Sequence, residues 1–222
     1  MFLNLHGKVL MDTSEKQVQR VLIVDDDANM RSALKRVFVL AGYGVELYES
    51  GLAFLQQADL TAPGCIILDL CMPGIDGLAV QAALNQRQCR LPLIFLTGSA
   101  AVRNAVDAMR AGAIDFLEKP FDNDDLLRRV AAAMAGQAIL RQAREAHAEV
   151  QQRLAKLTPR EHQVLSHIAK GLTNKEAARA LGTSHRTVEI QRTRIMEKTQ
   201  ASSLADLVRM SLQKNAEPKQ TP

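Results

Sequence analysis

Acidic, hydroxyl and basic side chains follow four short apolar runs in the first half of the sequence. Asp25 and Asp26 follow the first of these runs, and Asp69, Thr97 and Lys119 follow the other three. Carboxylates drawn to one point repel each other unless a hard divalent cation neutralises them, and Mg²⁺ prefers carboxylate oxygens. A carboxylate nucleophile beside a metal, a hydroxyl and an ammonium can take part in phosphoryl transfer. Together, these residues would allow Asp69 to form an aspartyl-phosphate.

The positions of these residues depend on a predicted alternation of strands and helices. Nearly continuous apolar runs are typical of parallel strands buried on both faces, and functional groups gather beyond the carboxyl ends of such strands. Strands are predicted at 21–24, 45–48, 65–68, 93–96 and 114–117, and helices at 29–41, 52–58, 78–86, 102–111 and from about 124. Residues 20–135 are therefore predicted to form an α/β domain with a doubly wound, five-stranded parallel sheet.

Charge is distributed unevenly along the chain. Residues 154–222 hold 12 Lys and Arg against 6 Asp and Glu, whereas residues 1–153 hold 16 against 18. The basic part suits contact with a polyanion, although a solvated basic surface would give the same balance. Three irregularly spaced cysteines fit a reducing cytosol, and no apolar run is long enough to span a membrane. We expect a cytoplasmic protein with no membrane partner.

Helical periodicity and capping sequences follow residue 157. Capping boxes are predicted at Thr158 with Glu161, Thr173 with Glu176, and Ser203 with Asp206, and glycines at helix ends are Gly171 and Gly182. These features predict four helices at 159–170, 174–181, 184–199 and 203–213. The second and third have the layout of a helix-turn-helix, although a helical bundle with a solvated face would fit the pattern equally well. Residues 157–213 are predicted to form a small all-α domain.

The segment between the two domains is rich in Ala, Arg, Gln and Glu, which predicts a long helix or a hinged pair over 126–157. Ile139, Ala143, Ala146, Val150 and Leu157 have the spacing of a weak coiled-coil seam. Alanine packs little area, so a solvated spacer helix is the favoured interpretation. We assign residues 136–156 to a helical linker and expect disorder at 1–19 and 214–222.

The first domain resembles the flavodoxin-like receiver domain of two-component response regulators. The resemblance rests on VLIVDDD at 21–27, ILDLCMPGIDG at 67–77, LTG at 96–98 and DFLEKPF at 115–121. It implies that Asp25, Asp26 and Asp69 hold Mg²⁺ together with the backbone carbonyl of Cys71, and that Asp69 is phosphorylated. It also implies that Thr97 and Lys119 contact the phosphoryl oxygens, that Thr97 and Phe116 act as a switch, and that the Lys119–Pro120 bond is cis. Asp27, one position beyond the acidic pair, is expected to face solvent or cap the first helix.

The second domain resembles the LuxR-type helix-turn-helix of the FixJ-like subgroup. The matching segments are LTPREHQVL at 157–165, GLTNKEAA at 171–178, SHRTVEIQR at 184–192 and SLADLVRM at 203–210. The resemblance implies that Glu189, Ile190 and Thr193 approach base edges, and that phosphates are contacted by Thr173, Lys175, Thr187, Arg192 and Arg194. His185 and Gln191 depart from the usual residues at their positions, so the target DNA sequence does not transfer from relatives.

Both resemblances imply a transcriptional response regulator. A sensor histidine kinase would phosphorylate Asp69, and the protein would then form a homodimer on double-stranded promoter DNA and contact RNA polymerase. Activation of transcription is favoured over repression, and no turnover enzyme activity is expected. Two alternatives remain: a DNA-binding regulator independent of phosphorylation, and an aspartyl-phosphate phosphatase. The phosphatase would need an Asp two residues after Asp69, where this chain has Cys71.

Overall fold

The computed structural model describes residues 19–98 and 109–213. The predictions of disordered ends lie outside this part of the chain, except at residue 19, and so does most of the predicted helix at 102–111. Within the described ranges, no helix has both the length and the apolar character that crossing a bilayer requires.

The first part of the chain folds around a sheet of five parallel strands. The strands are β1 (Arg20–Val24), β2 (Gly44–Tyr48), β3 (Cys65–Asp69), β4 (Leu93–Thr97) and β5 (Asp115–Glu118), in the order β2-β1-β3-β4-β5. This confirms the predicted fold class. Strand β5 begins one residue later than predicted, since its register with β4 starts at Asp115 opposite Ile94; the half-exposed Ile114 before it donates its N–H to the Leu93 carbonyl.

Helices cover both faces of the sheet because successive strand residues point to opposite sides. Three of them are α1 (Ala28–Leu40), α2 (Gly51–Gln57) and α3 (Gly77–Gln86). Leu22 and Val24 of β1 pack in one core with residues of α2 and α3, whereas Val21 and Ile23 pack in the other with residues of α1 and of a later helix. The three central strands, β1, β3 and β4, are therefore buried on both faces, as their continuous apolar runs predict, whereas the edge strands β2 and β5 keep exposed residues such as Leu47 and Phe116.

That later helix, α4 (Asn123–Ala155), is 33 residues long. Of the two alternatives predicted for residues 126–157, a long helix or a hinged pair of helices, the structure has the long helix. Its first turns place Leu126 and Val130 in the core against the sheet, and its last turn places Leu154 in a separate helical core. The chain divides into two compact units after Gln137, so the last turns of α4 belong to the second unit and differ from a purely solvated spacer.

The second unit continues with α5 (Pro159–Ala169), α6 (Asn174–Ala180), α7 (His185–Thr199) and α8 (Leu204–Gln213). Its core is built from aliphatic side chains, among them Leu165, Val188, Ile195 and Leu207. The sequence from Ala138 onward contains no Phe, Tyr or Trp. The core of this unit is therefore formed without aromatic side chains.

The helix ends of the second unit follow most of the predicted capping. In the boxes at Thr158 and Thr173, the threonine hydroxyl accepts the N–H of the glutamate three residues later, and that glutamate accepts the N–H of the threonine. Gly171 and Gly182, at the ends of helices, have positive φ values of 83° and 61°. The third box differs from the prediction. The N–H of Asp206 donates to the Ser203 hydroxyl, but the Asp206 carboxylate accepts from the N–H and hydroxyl of the preceding residue, Ser202.

Candidate functional site

The carboxyl ends of four strands bring the predicted acidic site together. Asp25 follows β1, Asp69 and Thr97 are the last residues of β3 and β4, and Lys119 follows β5. The parallel register aligns these ends, because Asp69 pairs with Leu96 and Thr97 pairs with Glu118. These residues therefore lie at the same edge of the sheet, at or directly after the ends of their strands.

Three carboxylates form the acidic cluster of this edge. One carboxylate oxygen from each of Asp25, Asp26 and Asp69 lies within 4.8 Å of those of the other two. Asp25 and Asp69 are 1% and 6% exposed, whereas Asp26 is open to solvent. Several carboxylate oxygens converging at the end of a sheet, with one side open to water, fit a hard cation such as Mg²⁺ that keeps part of its hydration shell.

The ammonium of Lys119 lies inside this cluster. Its Nζ donates to Asp25 at 2.9 Å and to Asp69 at 3.1 Å. Burial disfavours the ammonium, but the hydrogen bonds and charges of Asp25 and Asp69 outweigh it and raise the pKa of Lys119. Burial also raises the pKa of Asp69, and Lys119 opposes that effect. The ammonium is therefore within reach of any group attached to Asp69.

Local backbone features hold the carboxylates in place. The N–H of Asp27 donates to the Asp25 carboxylate at 2.8 Å, and the Asp27 side chain caps α1, which is one of the two predicted positions for it. Arg31 donates to the Asp25 carbonyl at 2.7 Å. A Cβ at Gly77 would lie 2.7 Å from the Asp69 carbonyl oxygen, so the start of α3 can approach Asp69 only with glycine at this position.

The remaining predicted residues of the first unit lie on or directly after the strands β3, β4 and β5. Thr97 is 1% exposed and its hydroxyl donates to the Gly98 carbonyl at 3.1 Å. Phe116 lies in the edge strand β5 with 36% of its surface exposed, and the Cys71 side chain is exposed after β3. The Lys119–Pro120 peptide is cis, as predicted.

The second candidate site is the pair α6 and α7, joined by a short turn at 181–184. Val188 and Ile195 of α7 are fully buried, so this side of the helix faces the core as predicted. Ile190, Thr193 and Arg194 lie on the exposed side, and Ile190 is 42% exposed despite its apolar side chain. An outward-facing helix held by a buried stripe is the geometry that major-groove reading requires.

Several predicted DNA contacts already take part in local hydrogen bonds. The hydroxyls of Thr173 and Thr187 bond to Glu176 and Ser184, and Arg192 donates to the Asn174 side chain at 3.3 Å. The other predicted contacts are Lys175, which is exposed on α6, and Glu189, whose carboxylate lies 3.6 Å from His185 and 3.6 Å from Arg186. All of these residues lie on or beside the two helices of the turn.

Comparison with known proteins matches each unit to a family. Residues 21–131 match the response regulator receiver domain, and residues 155–211 match the luxR family of bacterial regulatory proteins. The chain is 38% identical over 192 residues to the transcriptional regulatory protein FixJ of Bradyrhizobium diazoefficiens, covering 86% of this chain and 94% of that protein. The chain belongs to the response regulators.

Other relatives match this response regulator over most of its length. It is 39% identical over 187 residues to the tetrathionate response regulatory protein TtrR of Salmonella typhimurium, covering 84% of this chain and 89% of that one. The solved structure of the response regulator StyR, 37% identical, superposes with a TM-score of 0.82 over 88% of this chain and 98% of that chain. This protein is thus a FixJ-like response regulator with a receiver domain and a LuxR-type DNA-binding domain.

Two ion-pair clusters of this response regulator are not predicted from its sequence. Lys198 donates to both carboxylate oxygens of the buried Glu161, although 37 residues separate them. Arg129 of α4 bonds to Asp115 of β5 and to Asp125 of its own helix. The i,i+4 spacing of Asp125 and Arg129 could have indicated one of these contacts; the others depend on tertiary packing.

Proposed function

We propose that this response regulator accepts a phosphoryl group on Asp69 from a sensor histidine kinase, and that the resulting acylphosphate controls its binding to promoter DNA. The observation that carries the proposal is the convergence of Asp25, Asp26, Asp69 and Lys119 at one edge of the sheet. A structural ion pair would explain Lys119 with one aspartate. It would not explain a third carboxylate placed close to the pair and open to solvent.

The chemistry follows from the positions of the side chains. A carboxylate oxygen of Asp69 attacks the phosphorus, an O–P bond forms, and the P–N bond to the donor imidazole breaks with its electron pair remaining on nitrogen. Lys119 donates to a phosphoryl oxygen from its place beside Asp69, and the Thr97 hydroxyl at the end of the neighbouring strand is a second donor. Mg²⁺, when held by Asp25, Asp26, Asp69 and the Cys71 carbonyl, supplies neutralisation of the phosphoryl charge.

For the DNA-binding domain we propose that α7 enters the major groove. Glu189, Ile190 and Thr193 approach base edges, because they lie toward the outer side of the helix. Phosphates are contacted by Thr173, Lys175, Thr187, Arg192 and Arg194. The threonine hydroxyls can turn from their capping bonds to a phosphate, and the lysine and arginines supply the charge that makes such contacts depend on salt.

The wider proposal concerns assembly and cellular role. Phosphorylation favours a homodimer on double-stranded promoter DNA, and the bound protein contacts RNA polymerase and activates transcription. The protein works in the cytoplasm as a regulator without enzymatic turnover of its own. Support comes from the receiver and LuxR-type family matches, which imply a histidine kinase and DNA as partners.

Phosphorylation-dependent binding to a selected DNA site tests the central claim. Genomic fragments bound by the acetyl-phosphate-treated protein in Mg²⁺ would be recovered, and one site would be footprinted with untreated and treated protein. Treatment should tighten binding for wild type and for Asp76→Asn, a matched control because Asp76 caps α3 and asparagine can make the same capping bond. Asp69→Asn should show no response. Equal responses of Asp69→Asn and wild type would refute phosphorylation control.

Salt dependence and site preference test the roles within α7. Arg194→Ala should weaken binding to all sites similarly and reduce the slope of log affinity against log salt by about one. Ile190→Ala should instead change the ranking of sites that differ by single base pairs. Arg209→Ala is the control, because Arg209 lies on α8 and pairs with Asp206. Loss of sequence ranking in Arg194→Ala alone would reverse the two assignments.

A further inference from the structure

An ion-pair cluster joins the edge strand β5 to the long helix α4. One carboxylate oxygen of Asp115 accepts the N–H of Phe116 at 2.9 Å, and the other accepts from the Arg129 guanidinium. The Nε of Arg129 donates to Asp125 at 2.9 Å. The guanidinium therefore holds a carboxylate of the strand and one of its own helix at the same time, which its fork of donors allows.

Asp115, the member of this cluster that lies on β5, is four residues before Lys119 of the acidic site. Strand β5 pairs with β4 on one side only, and Lys119, directly after it, bonds to Asp69. Asp115 binds the backbone of Phe116, while Leu117 is buried beside Leu126 in the core. A shift of β5 that follows a change at Lys119 must therefore move the carboxylate that Arg129 holds.

The helix end of the cluster belongs to a continuous element. Arg129 lies in the second turn of α4, and the same helix contributes Leu154 to the core of the second unit. Leu126 and Val130 attach α4 to the sheet by apolar contacts, which allow sliding more readily than a directed ion pair does. Arg129 gives α4 a directed contact with β5, and Gln137 gives it another with the loop before β4, where its side chain donates to the Arg90 carbonyl at 3.0 Å.

We propose that Arg129 is a positioning residue that couples β5 to α4, so that phosphorylation of Asp69 reaches the DNA-binding domain through the contacts of Arg129 with Asp115 and Asp125. The proposal rests on the function proposed above. The side chains of Arg129 and Asp115 are 37% and 29% exposed, so solvent screening limits what their pairing adds to stability. The role in coupling can therefore be separated from a role in folding.

The test measures the ratio of DNA affinity with and without acetyl phosphate in the full chain. The variants are Arg129→Gln, Asp115→Asn, the double variant and Arg128→Gln. Arg128 is a matched control, because it is the adjacent arginine and also pairs with Asp125, but it does not bond to Asp115. Phosphorylation yield and melting temperature are recorded for each variant, since a folded receiver with an intact acidic site should phosphorylate normally.

Arg129→Gln should be phosphorylated like wild type, while its affinity ratio falls by about threefold or more. Asp115→Asn should give a similar fall, the double variant no further fall, and Arg128→Gln none. An unchanged ratio in Arg129→Gln would overturn the proposal, and so would additive effects in the double variant or a parallel loss of phosphorylation. If wild type itself gives the same ratio as Asp69→Asn, the proposed function fails and this inference fails with it.

Discussion

Two glutamates at equivalent places in the second unit allow a matched test of one ion pair. Glu161 and Glu176 complete matching capping boxes, where they accept the N–H of Thr158 at 2.7 Å and of Thr173 at 2.8 Å. Glutamine can still accept that bond through its amide oxygen. Only the first glutamate is buried and pairs with Lys198, whereas the second is exposed. We expect Glu161→Gln to destabilise the unit and Glu176→Gln to change it little.

The magnitude follows from the geometry around Lys198. Its Nζ lies 2.7 Å and 2.9 Å from the two oxygens of Glu161, whose side chain is 3% exposed. Breaking a fully buried pair costs about 3–5 kcal/mol. The Lys198 side chain is 36% exposed, so its ammonium can turn toward water once its partner is lost. We therefore expect a loss of about 1.5–2 kcal/mol, at the lower end for a charge-assisted hydrogen bond.

Hydrogen exchange in the full chain measures this loss, because amides of 159–213 report the opening of the second unit separately from the first. Burial acts to raise the pKa of Glu161, but the bonds from Lys198 and Thr158 outweigh it and lower the pKa below its ordinary value of 4.5. The stabilisation is present above that value and disappears as the pH falls through the lowered pKa. Calorimetry of both variants across acidic pH should show the stability difference between Glu161→Gln and Glu176→Gln vanish. Equal losses for the two variants at neutral pH, or a difference that persists in acid, would refute the reasoning.

Three further substitutions test other contacts. Gly77→Ala is expected to slow phosphorylation of Asp69 and lower the melting temperature, because the added carbon would lie 2.7 Å from the Asp69 carbonyl oxygen; wild-type labelling by acetyl phosphate would contradict this. Gly136→Ala is expected to raise stability by about 0.5–1 kcal/mol, since the added carbon meets no atom within 4 Å apart from its chain neighbours and the backbone of its own helix, and a lower melting temperature in calorimetry would contradict it. Tyr48→Phe tests a buried phenol. Burial and the bond to Glu46 raise the pKa of Tyr48 to about 12, above its ordinary value of 10.0. Between these two values only the unfolded chain loses the phenol proton, so wild type loses stability as the pH rises. In urea denaturation the stability difference between wild type and Tyr48→Phe should shrink by roughly 1–2 kcal/mol as the pH rises through this range, and a constant difference would contradict the assignment.

The sequence predicts the sheet and the acidic site well because their causes are local. Continuous apolar runs report strands buried on both faces, and parallel strands place the residues that follow them at one edge. Asp25, Asp69 and Lys119 are therefore brought together by topology alone. The capping boxes at Thr158 and Thr173 are equally local, since each needs residues only three positions apart.

The features that the sequence does not predict have non-local or competing causes. Lys198 meets Glu161 only because α7 packs against α5, and Arg129 meets Asp115 only because α4 packs beside β5. At the start of α8 two adjacent serines compete for the same carboxylate, so the reciprocal bond forms with Ser202.

The lack of aromatic residues in the second unit has an optical consequence. All six Phe and both Tyr of the chain lie before residue 122, and the chain has no Trp. Near-ultraviolet absorbance and tyrosine emission of the protein therefore arise in the receiver, through Tyr43 and Tyr48. Because coupling between two sites is reciprocal, DNA bound to the second unit must alter the receiver if phosphorylation alters DNA binding. Once the emission is corrected for the exciting light that the DNA absorbs, a change in tyrosine emission on adding DNA would record that reverse signal, because the domain that binds the DNA has no tyrosine.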